Sequence, residues 1–214
     1  MKNDFFFFKI PYRKDLRLLD IGCGNGIYLL QLKKLGWNPR TQLYGIEFPN
    51  EVLQQLKEVE QVNIIEGNLY EGELPKNFFD VVTLRHVLEH FYDPTLAMQK
   101  IYHTLKPGGK VLILAPNFKS IEALFIFKEK WYNIDTPRHL YHFTPKTLMK
   151  LLLKTEFTVE QIYLKKSVSP VVKSLEYYGY RVPKFIEKSV IPNILSIFKL
   201  FGFSEDLLCK AVKR

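Results

Sequence analysis

The feature that most limits what this chain can become is a glycine-rich break at the end of its first strand-like run. Leu16, Leu18, Leu19 and Ile21 give residues 16–21 the pattern of a short buried strand, which stops at Gly22-Cys23-Gly24-Asn25-Gly26. Ile27, Leu29, Leu30 and Leu32 then resume at helical spacing until Gly36 closes the helix. Strand, tight loop and helix open a parallel sheet, and ligands of such sheets sit beyond the carboxyl ends of the strands. Glycines in that loop let the backbone come close to a bound molecule.

The same rhythm continues down the chain. Residues 42–47 predict a second strand, Asn50 caps a helix reaching Leu56, and residues 62–66 predict a third strand. A fourth strand falls at 79–84, Asp93-Pro94 opens a helix reaching Leu105, and Lys106-Pro107-Gly108-Gly109 turns into a fifth strand at 110–114. Thr144-Pro145 opens a helix to about Lys154, and strands follow at 157–165 and 206–212. Strands alternating with helices imply an α/β fold with a mostly parallel sheet covered on both faces. With 214 residues, 47% of them apolar, the chain can form one domain over 1–214, burying roughly 70% of its unfolded surface.

Several function classes drop out on composition. The two cysteines, Cys23 and Cys209, are far apart and match no metal-ligand spacing, so neither a disulfide framework nor a metal site is expected. A reducing cytoplasm suits that usage. The run Phe5 to Phe8 is too short for a signal-peptide core and reads as a packed N-terminal segment. No stretch offers the roughly 20 mostly uncharged residues of a spanning helix. The net charge of +9 attracts anions, but its 31 Lys and Arg are spread without the basic-aromatic patch of a nucleic-acid reader, so nucleic acid is not expected as a partner.

The loop is not that of a nicotinamide enzyme, which needs glycine at the sixth position of its fingerprint; Ile27 stands there, and Gly26 comes one residue early. Leu18-Leu19-Asp20-Ile21-Gly22-Cys23-Gly24-Asn25-Gly26 instead resembles the first motif of class I S-adenosylmethionine-dependent methyltransferases. Gly67-Asn68-Leu69, Phe79-Asp80-Val81-Val82, His86-Val87-Leu88-Glu89-His90 and Leu105-Lys106-Pro107-Gly108-Gly109 then follow in that family's order, so the resemblance covers residues 16–159. It implies a Rossmann-like seven-stranded, mostly parallel sheet with helices on both faces and an antiparallel C-terminal strand. It also implies S-adenosylmethionine as cofactor and S-adenosylhomocysteine as product. Carried over by position, Asp20, Gly22, Cys23, Gly24, Asn25 and Gly26 hold the methionine part, Glu47 the ribose hydroxyls, and Phe48 packs on adenine. Gly67, Asn68 and Leu69 belong to the adenine position. Asn68 departs from the family's aspartate, and its side-chain oxygen can still accept from an exocyclic amine. Arg85 and His86 fall near the cofactor's methionine end.

The acceptor side is expected where the rhythm breaks, in an insertion at about 117–145. Within it, the stretch from Asp135 to Phe143 concentrates groups that exchange protons, and a similar Pro-Arg-His-Leu stretch recurs in bacterial relatives of the family. His139 is the first candidate for a general base, because imidazole titrates near neutrality; His90 and His142 are the alternatives. Each can equally be a structural histidine, and Asp135 and Arg138 can pair to shape the loop. Residues 168–203 carry a surplus of apolar side chains, read either as a helical lid or as a peripheral contact with the inner face of a membrane. With about fifteen residues ahead of the first strand, the pocket is expected to be open, or closed by the tail or a partner subunit. The acceptor is then a small molecule, a sugar or a lipid-linked compound methylated on oxygen, nitrogen or carbon. A non-catalytic cofactor-binding protein of the same fold is the rival reading, because a fold does not prove turnover.

Overall fold

A computed structural model describes Ile10, residues 13–201 and residues 203–214; the expected packing of Phe5 to Phe8 lies outside these. In chain order the elements are β1 (Leu18–Ile21), α1 (Ile27–Lys34), α2 (Pro39–Gln42), β2 (Leu43–Glu47), α3 (Glu51–Glu58), β3 (Asn63–Glu66), β4 (Phe79–Arg85), α4 (Pro94–Thr104), β5 (Leu105–Pro116), α5 (Pro145–Lys154), β6 (Phe157–Lys165), α6 (Val168–Tyr177), α7 (Ile191–Leu200) and β7 (Asp206–Lys213). The helix starts follow local chemistry. Asn50 Oδ1 accepts from Val52 N and Leu53 N, and Asp93 Oδ1 accepts from Leu96 N ahead of Pro94. Thr144 and Thr147 form a reciprocal capping box at α5.

The seven strands lie in the order β3-β2-β1-β4-β5-β7-β6. All pairings are parallel except those of β7, which runs antiparallel between β5 and β6. The expected antiparallel C-terminal strand lies inside the sheet, with β6 outside it. Side chains alternate across the sheet as strand geometry requires. Leu18, Leu43, Val81 and Leu112 join Leu29, Leu32, Leu53 and Leu56 from α1 and α3 on one face, whereas Leu19, Val82 and Ile113 join Ala97, Met98, Leu148 and Leu152 from α4 and α5 on the other. Each fully buried leucine contributes about 1.5–3 kcal/mol, so these two layers dominate the stability of the fold.

Sequence order reverses at β1: the chain goes first to β2 and β3 on one side, then back to β4 on the other. Such a switch point opens a crevice at the carboxyl ends of β1 and β4. The insertion after β5 is a series of single helical turns, at Glu122–Ile126, Lys128–Lys130 and Tyr132–Ile134. It shares an apolar cluster with the tail, in which Ala123, Phe127 and Trp131 meet Val171, Ile191 and Leu195 from α6 and α7.

Candidate active site

The glycine loop is laid across the ends of β1 and β2 by backbone hydrogen bonds from Gly22 N and Cys23 N to Ile46 O, at 2.9 and 3.1 Å. Gly22 and Gly26 need glycine for both backbone conformation and space. Both have positive φ, 67° and 69°, and a Cβ would lie 2.5 Å from Val87 Cγ2 at the first and 2.5 Å from Leu56 Cδ2 at the second. Gly24 also has a positive φ, 55°, but nothing stands within 4 Å of where its side chain would begin. Asn25 is exposed, with its Oδ1 accepting from Ile27 N at the start of α1. The Cys23 side chain turns into the core, where a Cβ on Gly45 would lie 2.7 Å from its Sγ, and burial first, then Asp20 and Glu47, pushes its thiol up to about 12. Cys23 therefore offers the site its backbone and no thiolate.

Glu47 ends β2 with its carboxylate facing the loop. Oε2 accepts from Gly24 N at 2.7 Å and Oε1 from Phe48 N at 2.9 Å. Phe48 leaves its ring 61% exposed beside it. At the end of β3, Gly67 N bonds Glu47 O at 2.9 Å and Leu69 is buried in the main core. Asn68 Oδ1 accepts from Tyr70 N and Glu71 N at 2.7 and 3.1 Å, capping the next turn. The side-chain oxygen expected to meet an exocyclic amine is thus already engaged with the backbone.

Asp20 and Arg85 tie the two sides of the crevice together. Asp20 is completely buried, accepting from Thr83 Oγ1 at 2.6 Å and from Arg85 Nη2 at 2.9 Å, and the guanidinium lies 4.3 Å from the centre of the Tyr28 ring. Burial pushes the Asp20 carboxyl upward, against the pull of Arg85 and Thr83. The carboxylate therefore orients Arg85 from inside the protein. Beyond Arg85, His86 adopts a positive φ of 55°, with its N–H on Leu114 O at 2.8 Å.

The acceptor-side residues come together from two elements far apart in sequence. Leu88–His90 forms one helical turn after β4, and Glu89 O accepts from Leu140 N and Tyr141 N at 2.8 and 3.2 Å. That clamp brings the rings of His90 and His139 to a centroid separation of 4.7 Å, edge to face. His90 Nδ1 donates to Arg138 O at 2.8 Å and His139 Nδ1 donates to Asn133 O at 2.6 Å. A carbonyl can only accept, so both rings carry their proton on Nδ1. His142 lies apart from the pair, stacked on Phe118 at 5.0 Å, and burial and His139 lower its pKa. Asp135 and Arg138 do pair, at 2.7 Å.

Sequence reasoning did not single out Glu89 as a site residue, although it stands between His86 and His90 in a motif already read. Its side chain is 1% exposed, and neither oxygen has a hydrogen-bond partner among the described residues. The Asn133 carbonyl was not foreseeable, because any residue supplies a carbonyl and only the tertiary fold places it.

The comparisons with known proteins agree with this geometry. A family model described as a methyltransferase domain matches residues 4–162, well over half of the chain. The chain is 32% identical over 123 residues to demethylmenaquinone methyltransferase from Staphylococcus aureus, a match covering 53% of this chain and 51% of that protein. It thus spans about half the length of the curated relatives it matches. Among solved structures, a SAM-dependent methyltransferase from Archaeoglobus fulgidus superposes with a TM-score of 0.63 at 24% identity, covering 96% of this chain and 90% of the other. Another from Methanosarcina mazei gives 0.64 at 17% identity, with 94% of each chain covered. Those structures share the fold that the sequence implied, and the extent of the family match shows that this chain belongs to the methyltransferase domain family.

Proposed function

We propose that this chain transfers a methyl group from S-adenosylmethionine to an oxygen, nitrogen or carbon of a small-molecule acceptor. The observation that carries the reading is the convergence, at one switch point, of an open glycine loop, a carboxylate ending β2, an exposed aromatic ring and a guanidinium fixed from within. Glu47 keeps lone pairs for both ribose hydroxyls while holding Gly24 N and Phe48 N. Phe48 is the platform for adenine, and Asn68, its oxygen bonded to Tyr70 N and Glu71 N, has its amide nitrogen left to donate to the base. The open space at Gly24 admits the ribose and methionine chain. The first N–H groups of α1 and Arg85, oriented by Asp20, bind the methionine carboxylate.

The bound cofactor supplies an electrophilic methyl on a sulfonium. What the protein adds is alignment and exclusion of water, and positioning of this kind removes about 7–11 kcal/mol of barrier when the geometry is near attack. His139 and His90 face the acceptor with Nε2 free to take a proton, and His142 with Phe118 forms part of the wall. To test this, the protein is incubated with S-adenosylmethionine and a panel of phenolic, quinol and sugar acceptors. Formation of S-adenosylhomocysteine together with a methylated acceptor is expected. Cofactor binding with no methylated product across the panel would favour the non-catalytic reading.

A lipid-linked acceptor is the more specific form of this proposal. Its support is the outer face of the tail, where Phe185, Ile197, Leu200 and Phe201 are exposed among Lys184, Lys188 and Lys199. No helix among the described residues is long and apolar enough to cross a membrane, so the contact would be peripheral. Co-sedimentation with vesicles containing anionic lipid is expected. Protein left in the supernatant would make the tail a cover over the insertion and nothing more.

A further inference from the structure

We infer that Glu89, His90 and His139 form a site for a first-row divalent metal ion, which holds and activates a hydroxyl acceptor. One ligand atom from each of these residues lies within 4.8 Å of the others. The Glu89 carboxylate is buried with no hydrogen-bond partner among the described residues, an arrangement that destabilises a fold unless something else compensates the charge. Its nearest cationic partners, His86 Nδ1 at 3.5 Å and His139 Nε2 at 4.0 Å from Oε1, both stand beyond the length of a strong charge-assisted hydrogen bond and compensate the charge only in part.

The histidines are prepared for coordination in the way metal-bound imidazoles usually are. Each donates its Nδ1 proton to a backbone carbonyl, Asn133 O or Arg138 O, which fixes the ring and places the lone pair on Nε2. For His139 that lone pair faces two carboxylates, Glu89 at 4.0 Å and Asp135 at 3.9 Å. A single proton cannot bridge such gaps, because charge-assisted hydrogen bonds span about 2.7–2.9 Å. A metal ion can once the side chains close by about 0.5 Å, since two metal bonds of about 2.0–2.2 Å at a tetrahedral angle hold their ligand atoms roughly 3.3–3.6 Å apart. Two nitrogens and one carboxylate oxygen suit zinc, manganese or iron better than magnesium or calcium, and three protein ligands leave positions open.

The site adjoins the cofactor crevice, because Val87, two residues before Glu89, packs against Gly22 of the glycine loop. This chemistry rests on the methyl-transfer reading and narrows it to hydroxyl acceptors, above all vicinal diols that can chelate. An acceptor hydroxyl on the metal becomes more acidic and releases its proton to water. Its oxygen then forms a bond to the methyl carbon as the carbon–sulfur bond breaks, and that electron pair stays on sulfur to give the neutral thioether. With the metal bound, His90 and His139 act as ligands and need not accept the proton.

The test measures metal binding directly on untagged protein of this sequence, stripped with a chelator. Zn²⁺ and Mn²⁺ are titrated calorimetrically, and Co²⁺ is added to the same protein to read its visible absorption. The expected result is one equivalent bound, with a Co²⁺ band that Zn²⁺ displaces. Glu89→Gln and His139→Gln should weaken binding by more than about 100-fold, beyond the 10–100-fold loss of an outer-shell partner, while His103→Gln on α4 leaves it unchanged. No stoichiometric binding by the wild type, or affinities unmoved by both variants, would overturn the inference. S-adenosylmethionine affinity measured alongside separates the two readings: cofactor binding without metal removes the metal site alone, and metal binding without cofactor removes the methyl-transfer reading alone. Because the Co²⁺ spectrum is read on the wild type, a variant that fails to fold does not spoil the test.

Discussion

The two edges of the crevice handle buried charge in opposite ways. On the cofactor edge each carboxylate has donors: Asp20 has Thr83 and Arg85, and Glu47 has two backbone N–H groups. On the other side Glu89 is buried with its nearest cationic groups at 3.5 and 4.0 Å, and farther along Glu122 and Glu205 are buried together and repel each other, Glu205 accepting from Ser167 N. The first arrangement supports the fold, whereas the second weakens it, and such departures from good packing are expected at sites selected for chemistry. Of these, Glu122 lies in the insertion, and a loop that only had to connect β5 to α5 would not keep a carboxylate in its interior.

The sharpest way to break this contrast is to remove the charge that the cofactor edge compensates. Asp20→Ala removes the ion pair between Asp20 and Arg85; breaking a buried ion pair costs about 3–5 kcal/mol, and the lower end applies because the Arg85 side chain is 22% exposed and also packs on the Tyr28 ring. A thermal melt should fall by roughly 10 °C. A loss of less than about 1 kcal/mol would mean that Asp20 is not a structural partner of Arg85.

The acceptor edge should respond in the opposite sense. Burial, then repulsion from Glu122, pushes Glu205 up to about 9, from the ordinary 4.5 of the unfolded chain. The folded state therefore holds this proton more tightly, so the group's contribution is fully present below about pH 4.5 and is lost as pH rises toward 9. Glu205→Gln keeps an oxygen for Ser167 N and removes the charge. Its melting temperature should match that of the wild type near pH 4 and exceed it by a margin that widens steadily toward pH 8.5. Parallel pH curves for the two proteins would show that Glu205 is not held protonated.

The smallest effect belongs to the tail. Ile197→Ser combined with Leu200→Ser changes two exposed side chains and should leave stability within about 0.5 kcal/mol. If the outer face meets lipid, the same change should release the protein from anionic vesicles. Unaltered vesicle binding would move the contact elsewhere, and a large loss of stability would show that this face is covered.

These regions also differ in how well the sequence disclosed them. Strand alternation, the glycine loop and the caps at Asn50, Asp93 and Thr144 are local signals, and the elements they mark appear within a few residues of their expected bounds. The antiparallel β7 followed from family resemblance, but its place between β5 and β6 depends on pairing that no local pattern encodes. Glu47 was picked out because it ends a strand at a fixed distance from the loop, and Phe48 by the family resemblance alone. Asn68 was read by its side-chain chemistry, and the backbone N–H groups of Tyr70 and Glu71 that take its oxygen have no signature in sequence. The insertion was the hardest to read, because single helical turns carry no period. The pairing of His90 with His139 depends on the Glu89 carbonyl bonding to residues about fifty positions away.

The most direct measurement is calorimetric titration with S-adenosylmethionine and, separately, NAD, using the wild type and Glu47→Ala. Micromolar binding of S-adenosylmethionine, weakened about tenfold or more by Glu47→Ala and with no heat from NAD, is the expected result, since a charge-assisted hydrogen bond contributes about 1.5–3 kcal/mol. An absence of S-adenosylmethionine binding, or equal affinity in the two proteins, would contradict the assignment of the switch-point crevice as its site.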